Sequence, residues 1–172
     1  VGFDGSKTKE DGYRSSFAKP SETATPGYYR VTLDQHKIDV ELTASKHAAF
    51  HRYTYANHDA DAYVLFDLAH ALISCSVADS QIDVAPGGAE VSGWLVYNGA
   101  LSGRSGGAKL YFSAQIDGAT GDWTLWQGDK LLPGASQVAG AGTGGAVRVK
   151  TDVPVQVRIG LSYVDLQGAR HN

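Results

Sequence analysis

Hydrophobic and polar positions alternate along much of the chain. Ile38, Val40 and Leu42 alternate with Asp39, Glu41 and Thr43, so three apolar side chains share one strand face and three polar ones the other. Tyr29, Val31 and Leu33 alternate in the same way with Arg30, Thr32 and Asp34. Leu110, Phe112, Ala114 and Ile116 form a third such run. Val155, Val157, Ile159, Leu161 and Tyr163 form a fourth. Ala62 to Leu68 is more continuously apolar, interrupted by Asp67, and suits a strand covered on both faces. Asp34-Gln35-His36-Lys37, Pro86-Gly87-Gly88, Asp117-Gly118 and Gly121-Asp122 supply the turns between runs. Short strands punctuated in this way predict an all-β, two-sheet antiparallel sandwich.

No amphipathic helical period interrupts the strands. The tail from Asp165 through Gln167, Ala169 and Arg170 can start a helix with Asp165 as its N-cap, which places helix only at the C-terminal edge. A helix beginning so late predicts that the native chain continues past Asn172. Val1 to Tyr13 and Pro133 to Gly145 lack an apolar period and read as mobile loops. The chain has 172 residues, the size of one domain with a single core. It begins at Val1 and contains no Met, so it reads as a fragment or a trimmed mature chain.

Composition narrows the function classes. Lys and Arg total 15 against 18 Asp and Glu, so no basic excess favours nucleic acid as a partner. No apolar run reaches the roughly 18 residues of a membrane span. The one cysteine, Cys75, lies in the apolar stretch Leu72 to Val77 and reads as a buried small hydrophobe. Most carboxylates (Asp34, Asp39, Glu41, Asp117, Asp122, Asp129) fall on polar strand faces or in turns. Glu22, in a loop beside Pro26, Tyr28 and Tyr29, and Asp67, inside an apolar strand, stand apart from them. They do not form the flanking pair that glycoside hydrolysis requires. His36, His47, His51, His58, His70 and His171 show no metal-ligand spacing. Trp94, Trp123 and Trp126 are candidates to stack on sugar rings or to fill the core. Trp123 and Trp126, three apart, must face opposite sides of their strand.

The segment Ser16-Phe17-Ala18-Lys19-Pro20-Ser21-Glu22-Thr23-Ala24-Thr25-Pro26-Gly27-Tyr28-Tyr29-Arg30-Val31 resembles a loop-into-strand signature of family 92 glycoside hydrolases: Ser-x-Phe, a basic residue, then Glu-x-Ala-x-Pro-Gly-Tyr-Tyr. Leu33-Asp34, Val40 to Ala44, Phe50 to Thr54, Ser92-Gly93-Trp94, Gly103-Arg104, Tyr111-Phe112 and Arg158 to Val164 are similar to later blocks of that family, in its order. The resemblance implies the N-terminal, supersandwich-like domain of a calcium-dependent, inverting exo-α-mannosidase, with residues 1–172 as that single domain. It places the general acid, the base carboxylates and the calcium ligands in a helical-barrel catalytic domain outside this chain. The family's Gly-x-Ser-His and Gly-Thr-Gly loop has no counterpart here, since Val1-Gly2 matches the point just after it.

The resemblance therefore implies no catalytic and no metal-binding residue in this chain, which on its own is expected to be inactive. The implied partners are the C-terminal catalytic domain of the same polypeptide and mannose-containing glycans, in a secreted or periplasmic setting. Tyr28 and Tyr29 should point to opposite faces. An outward Tyr28, with Glu22, is then a candidate for the pocket rim or the domain interface. Glu22 also has a plainer reading, hydrogen bonding to loop amides. Two alternatives stay open: a free-standing carbohydrate-binding module with Trp94 as its platform, and a structural sandwich that binds no sugar.

Overall fold

The computed structural model describes residues 3–57, 61–100 and 102–172. Thirteen strands are described: β1 (Thr23–Thr25), β2 (Tyr28–Leu33), β3 (Ile38–Ala44), β4 (Ala48–Tyr55), β5 (Ala62–Asp67), β6 (Ser76–Val84), β7 (Glu90–Asn98), β8 (Ala108–Asp117), β9 (Ala119–Gln127), β10 (Lys130–Pro133), β11 (Gln137–Ala139), β12 (Thr143–Val149) and β13 (Val155–Ser162). They form two antiparallel sheets. The larger runs β1-β2-β3-β4-β13-β8-β7-β6-β11 and the smaller β10-β9-β12-β5. Two helices, α1 (Glu10–Tyr13) and α2 (Leu166–His171), lie near the ends of the chain. Among the described residues, no helix is long and apolar enough to cross a membrane.

The alternating runs carry the core as expected. Val31 pairs with Val40 and Val40 with Tyr53. Val157 pairs with Ile116, and Ala114 with Val91. One apolar face of the large sheet is thereby built strand by strand. From the small sheet, Val64, Leu125 and Val147 close on it, joined by the half-buried Phe66 and Trp123. Tyr163 departs from the expectation: β13 ends at Ser162, and Tyr163 projects into solvent beyond the last sheet pairing.

Pro133 to Gly145 is ordered rather than loop. Its Val138 pairs with Ile82 and is buried, and Thr143, Gly144 and Gly145 open β12. The glycines that hide this strand in the sequence are required by packing. A Cβ on Gly144 would fall 2.2 Å from the Trp126 ring, and one on Gly145 would fall 2.7 Å from Leu125 Cδ2. A side chain at either position would keep a large neighbour from its seat. At the same edge a polar tie joins the sheets. Ser80 Oγ and Thr143 Oγ1, both buried, lie 2.7 Å apart, and Ser80 Oγ also donates to the Gly140 carbonyl at 3.0 Å.

The N-terminal stretch is likewise structured from Phe3 onward. It packs across the outer face of the small sheet. Phe3 stacks on Trp126 with centroids 5.6 Å apart, its amide donates to Tyr63 Oη at 3.1 Å, and Tyr13 Oη donates to Asp67 Oδ2 at 2.9 Å. α1 is a single helical turn within this strap. β5 is therefore covered on both faces, as its largely apolar run predicts. The Tyr13 hydroxyl and the Ala69 amide are what satisfy Asp67 there. Cys75 is half-buried, its thiol in hydrogen-bonding contact with the Tyr97 hydroxyl. The preceding Leu72 and Ile73 form an exposed loop, because the strand starts only at Ser76.

α2 forms with Asp165 as its N-cap, Oδ1 accepting from the Gly168 amide at 2.7 Å. It docks on the outer face of the large sheet through small residues. Ala169 is buried, and a Cβ on Gly160 would fall 2.0 Å from the Ala169 carbonyl oxygen.

Two substitutions test this packing in urea unfolding. Leu125→Ala should cost about 3 kcal/mol, the usual penalty for emptying a fully buried leucine site. Gly144→Ala should cost about 1–3 kcal/mol by overpacking against Trp126. A neutral Gly144→Ala would refute the strand assignment of this glycine-rich segment.

Candidate functional site

The loop that leads into β2 carries the first candidates. Lys19–Ser21 forms a 3-10 turn, β1 follows, and Pro26-Gly27 reverses the chain so that Thr25 pairs with Tyr28. Proline fixes its own φ at this turn, and Gly27 occupies φ 79°, a region that a Cβ disfavours. Tyr28 and Tyr29 then diverge to opposite faces, as the strand period requires.

Glu22 sits with Tyr29, not with Tyr28. Its carboxylate accepts from Tyr29 Oη at 2.9 Å and from the Lys19 ammonium. The partners are therefore side chains rather than loop amides, on the face that Tyr29 shares with Val31. The Lys19 and Tyr29 hydrogen bonds hold the Glu22 carboxyl below its ordinary value of 4.5.

Tyr28 is 38% exposed on the outer face, where its hydroxyl donates to Glu41 Oε1 at 2.8 Å. Arg52 grips the same carboxylate with two bonds of 2.7 Å, from Nε and Nη2. These bonds, Arg52's first and Tyr28's second, hold the Glu41 carboxyl low, and Glu41 in turn raises Tyr28 above its ordinary value. One step along the strands, Asp39 accepts from Thr32 Oγ1 at 2.5 Å and from Arg30 at 3.2 Å.

Trp94 lies on β7, on the outer face, between Gln81 and Tyr111 in the register. Lys109 Nζ stands 3.7 Å from the centroid of its ring, so a cation already occupies the surface a sugar would use. Trp123 and Trp126 face opposite sides, as their spacing requires, and neither is an open platform. Trp126 is buried beneath Phe3, while Trp123 packs on Phe66 and donates from Nε1 to the Gly88 carbonyl at 2.8 Å.

The three candidates are not one site. Tyr28 and Trp94 share the outer face but are separated by five strand spacings, about 24 Å. Glu22 lies with the opposite face. Sequence reasoning also missed a pair. His51 Nδ1 and Tyr53 Oη lie 2.8 Å apart on the inner face of β4, where burial lowers the His51 pKa and pushes Tyr53 up to about 12. Their spacing of two, which puts both on one strand face, was the available signal. A groove of about 450 Å³ runs beside α2 over Ala48, Phe50, Gly160 and Ala169. A second, of about 680 Å³, opens at the opposite end among Pro86, Gly88, Gly121 and Trp123.

The sequence profile of the glycosyl hydrolase family 92 N-terminal domain matches residues 3–162. The chain belongs to this family. Among solved structures, a family GH92 α-mannosidase from Bacteroides thetaiotaomicron aligns with TM-score 0.84 and 23% identity, over 95% of this chain and 22% of that one. The same enzyme in complex with mannoimidazole aligns equally well. An inverting family GH92 mannosidase from Bacteroides thetaiotaomicron VPI-5482 aligns with TM-score 0.77 and 22% identity, over 92% and 20%. At this identity the likeness carries the fold. The chain spans about a fifth of the length of these structures. A search of curated proteins returns no match.

In this family 92 N-terminal domain several carboxylates are engaged with cations. Asp117 binds Arg158, and Glu90 binds Arg170, in addition to the pairs at Glu22, Asp39 and Glu41. A general acid for glycoside hydrolysis needs a raised pKa. Glu22, Asp39 and Glu41 are all shifted the other way. Among the described residues, no group of three or more His, Cys, Asp or Glu side chains is placed to hold a metal ion. His58 and the Val1-Gly2 match point lie outside the described residues.

Glu22 gives a test of these electrostatics. Its folded-state pKa is depressed, so its contribution to stability is complete above 4.5 and is lost as pH falls through the lower folded value. Carboxyl carbon NMR should titrate Glu22 with a midpoint below 4.5. Glu22→Gln should remove part of the stability difference between pH 6 and pH 3. A midpoint at or above 4.5 would show that the Lys19 and Tyr29 bonds do not form in solution.

Proposed function

We propose that this chain is the non-catalytic N-terminal domain of an α-mannosidase-like glycoside hydrolase, supporting a helical catalytic domain and lending part of the wall of its carbohydrate pocket. The family match over residues 3–162 carries this reading. The α-mannosidase relatives support it, since this fold makes up only about a fifth of their length. In the longer enzyme, a carboxylic acid would protonate the leaving oxygen of a terminal α-mannoside while a carboxylate activates water on the opposite ring face, giving inversion. Calcium, expected in that enzyme, would bind and orient the sugar. The described residues of this chain do not fit it, so its ligands are assigned to the catalytic domain. A secreted or periplasmic setting and mannose-containing glycans as partners belong to the same proposal.

The candidates Glu22, Tyr28 and Trp94 retain different roles within it. Tyr28 is the exposed aromatic and is assigned to the pocket rim or the domain interface, with Glu41 and Arg52 fixing its hydroxyl. Glu22 orders the loop beneath it through Lys19 and Tyr29. The capping of Trp94 by Lys109 and the burial of Trp126 weigh against a free-standing carbohydrate-binding module.

An NMR titration of the isolated chain with α-mannobiose and calcium tests the proposal. No mannose should be released, and any amide shifts should be weak and confined to the region of Tyr28. Released mannose would refute the non-catalytic reading. Strong, saturable shifts around Trp94 would favour the binding module.

A further inference from the structure

We propose that the end of the sandwich where β13 passes into α2 is the surface on which the helical catalytic domain seats, through an apolar strip of Leu72, Ile73, Tyr163 and Val164. This rests on the reading above that the chain is one domain of a longer family 92 enzyme.

Topology places the four residues at one end of the sandwich. The loop carrying Leu72 and Ile73 enters β6 at Ser76, which pairs with Asn98 at the end of β7. Tyr163 and Val164 follow Ser162, which pairs with Tyr111 near the start of β8. Both pairs of residues therefore project from one end of the large sheet, on strands three spacings or about 14 Å apart. Their exposures are 74% and 97% for Leu72 and Ile73, and 71% and 80% for Tyr163 and Val164. The turns at the opposite end hold mostly Gly, Asp, Lys and His, with Val153, 55% exposed, as the large apolar side chain among them. Large apolar side chains concentrated in this way, rather than scattered, mark a surface that another body covers.

The occupant is a helical surface of the same polypeptide, by continuity with a seat already built. α2 begins directly after Val164 and lies on the outer face over a track of small residues, Ser113, Gly160 and Ser162. The groove of about 450 Å³ extends that track past α2 over Ala48 and Phe50, with Gln115 and Arg158 also lining it. A face that accepts one helix through glycine and serine contacts continues unoccupied beside it, with the apolar strip at its rim.

Hydrogen exchange compared between the isolated chain and the longer polypeptide tests this assignment. Amides of residues 70–75 and 163–168 should exchange at least about tenfold more slowly in the longer polypeptide. The double variant Ile73→Asp/Val164→Asp should restore fast exchange there while leaving the melting temperature of the isolated chain unchanged, because both side chains are exposed in it. Protection on another surface, with these segments unchanged, would overturn the assignment but leave the two-domain reading standing. Absence of new protection anywhere, beside a folded helical region, would overturn both. A concentration-dependent dimer of the isolated chain that the double variant abolishes would assign the strip to a second copy instead.

Discussion

Gly144 and Gly145, adjacent on β12, let the small sheet fit between two tight layers. On its outer side the Trp126 ring lies across Gly144, with Phe3 stacked on the ring. On its inner side Leu125, Trp123 and Ile82 close over Gly145. Because both faces of β12 are occupied by large neighbours, the strand itself must be thin. Much else follows from that thinness. The sheets can approach closely enough for Ser80 and Thr143 to bond across the gap, and the N-terminal strap has an aromatic anchor on the outer face. The same use of small residues recurs where α2 meets Gly160, so both faces of the sandwich accept covering elements without prying the core apart.

This arrangement explains which parts of the fold were legible in the sequence. β2, β3, β8 and β13 show period two because one face meets the core and the other meets water. Asp165 announced α2 because a helix N-cap is a local feature. β12 was invisible at its start for the reason that makes it important: its residues are glycines whose partners lie on other strands, and a period cannot be read from absent side chains. The strap from Phe3 to Tyr13 was missed in a similar way, since Phe3 and Tyr13 act through Trp126, Tyr63 and Asp67, residues about 50 or more positions away in sequence. Tyr163 continued an alternating pattern past the point where a neighbouring strand was left to pair with it.

The candidate residues divide along the same line. That Tyr28 and Tyr29 part to opposite faces is a property of any strand, and it was readable. That Glu22 joins Tyr29 rather than Tyr28, and that Lys109 covers Trp94, depends on side chains meeting across loops and neighbouring strands. The outward carboxylates Asp39, Glu41, Glu90 and Asp117 are matched to arginines. Such pairing suits a stable scaffold, and at Glu41 the Arg52 bonds lower the carboxyl pKa, the reverse of the shift a general acid needs. Under the proposed function, the contribution of the domain is one of position, exerted on a pocket built mostly elsewhere.

The most direct test of that central claim is the kcat/KM of the longer polypeptide for α-mannobiose, measured with residues 1–172 present and with them removed. If the domain positions the pocket wall, its removal should lower kcat/KM by about a hundredfold or more while the remaining region keeps its helical circular dichroism, the scale expected when a pocket loses its alignment. An unchanged kcat/KM in a folded, truncated enzyme would contradict the account.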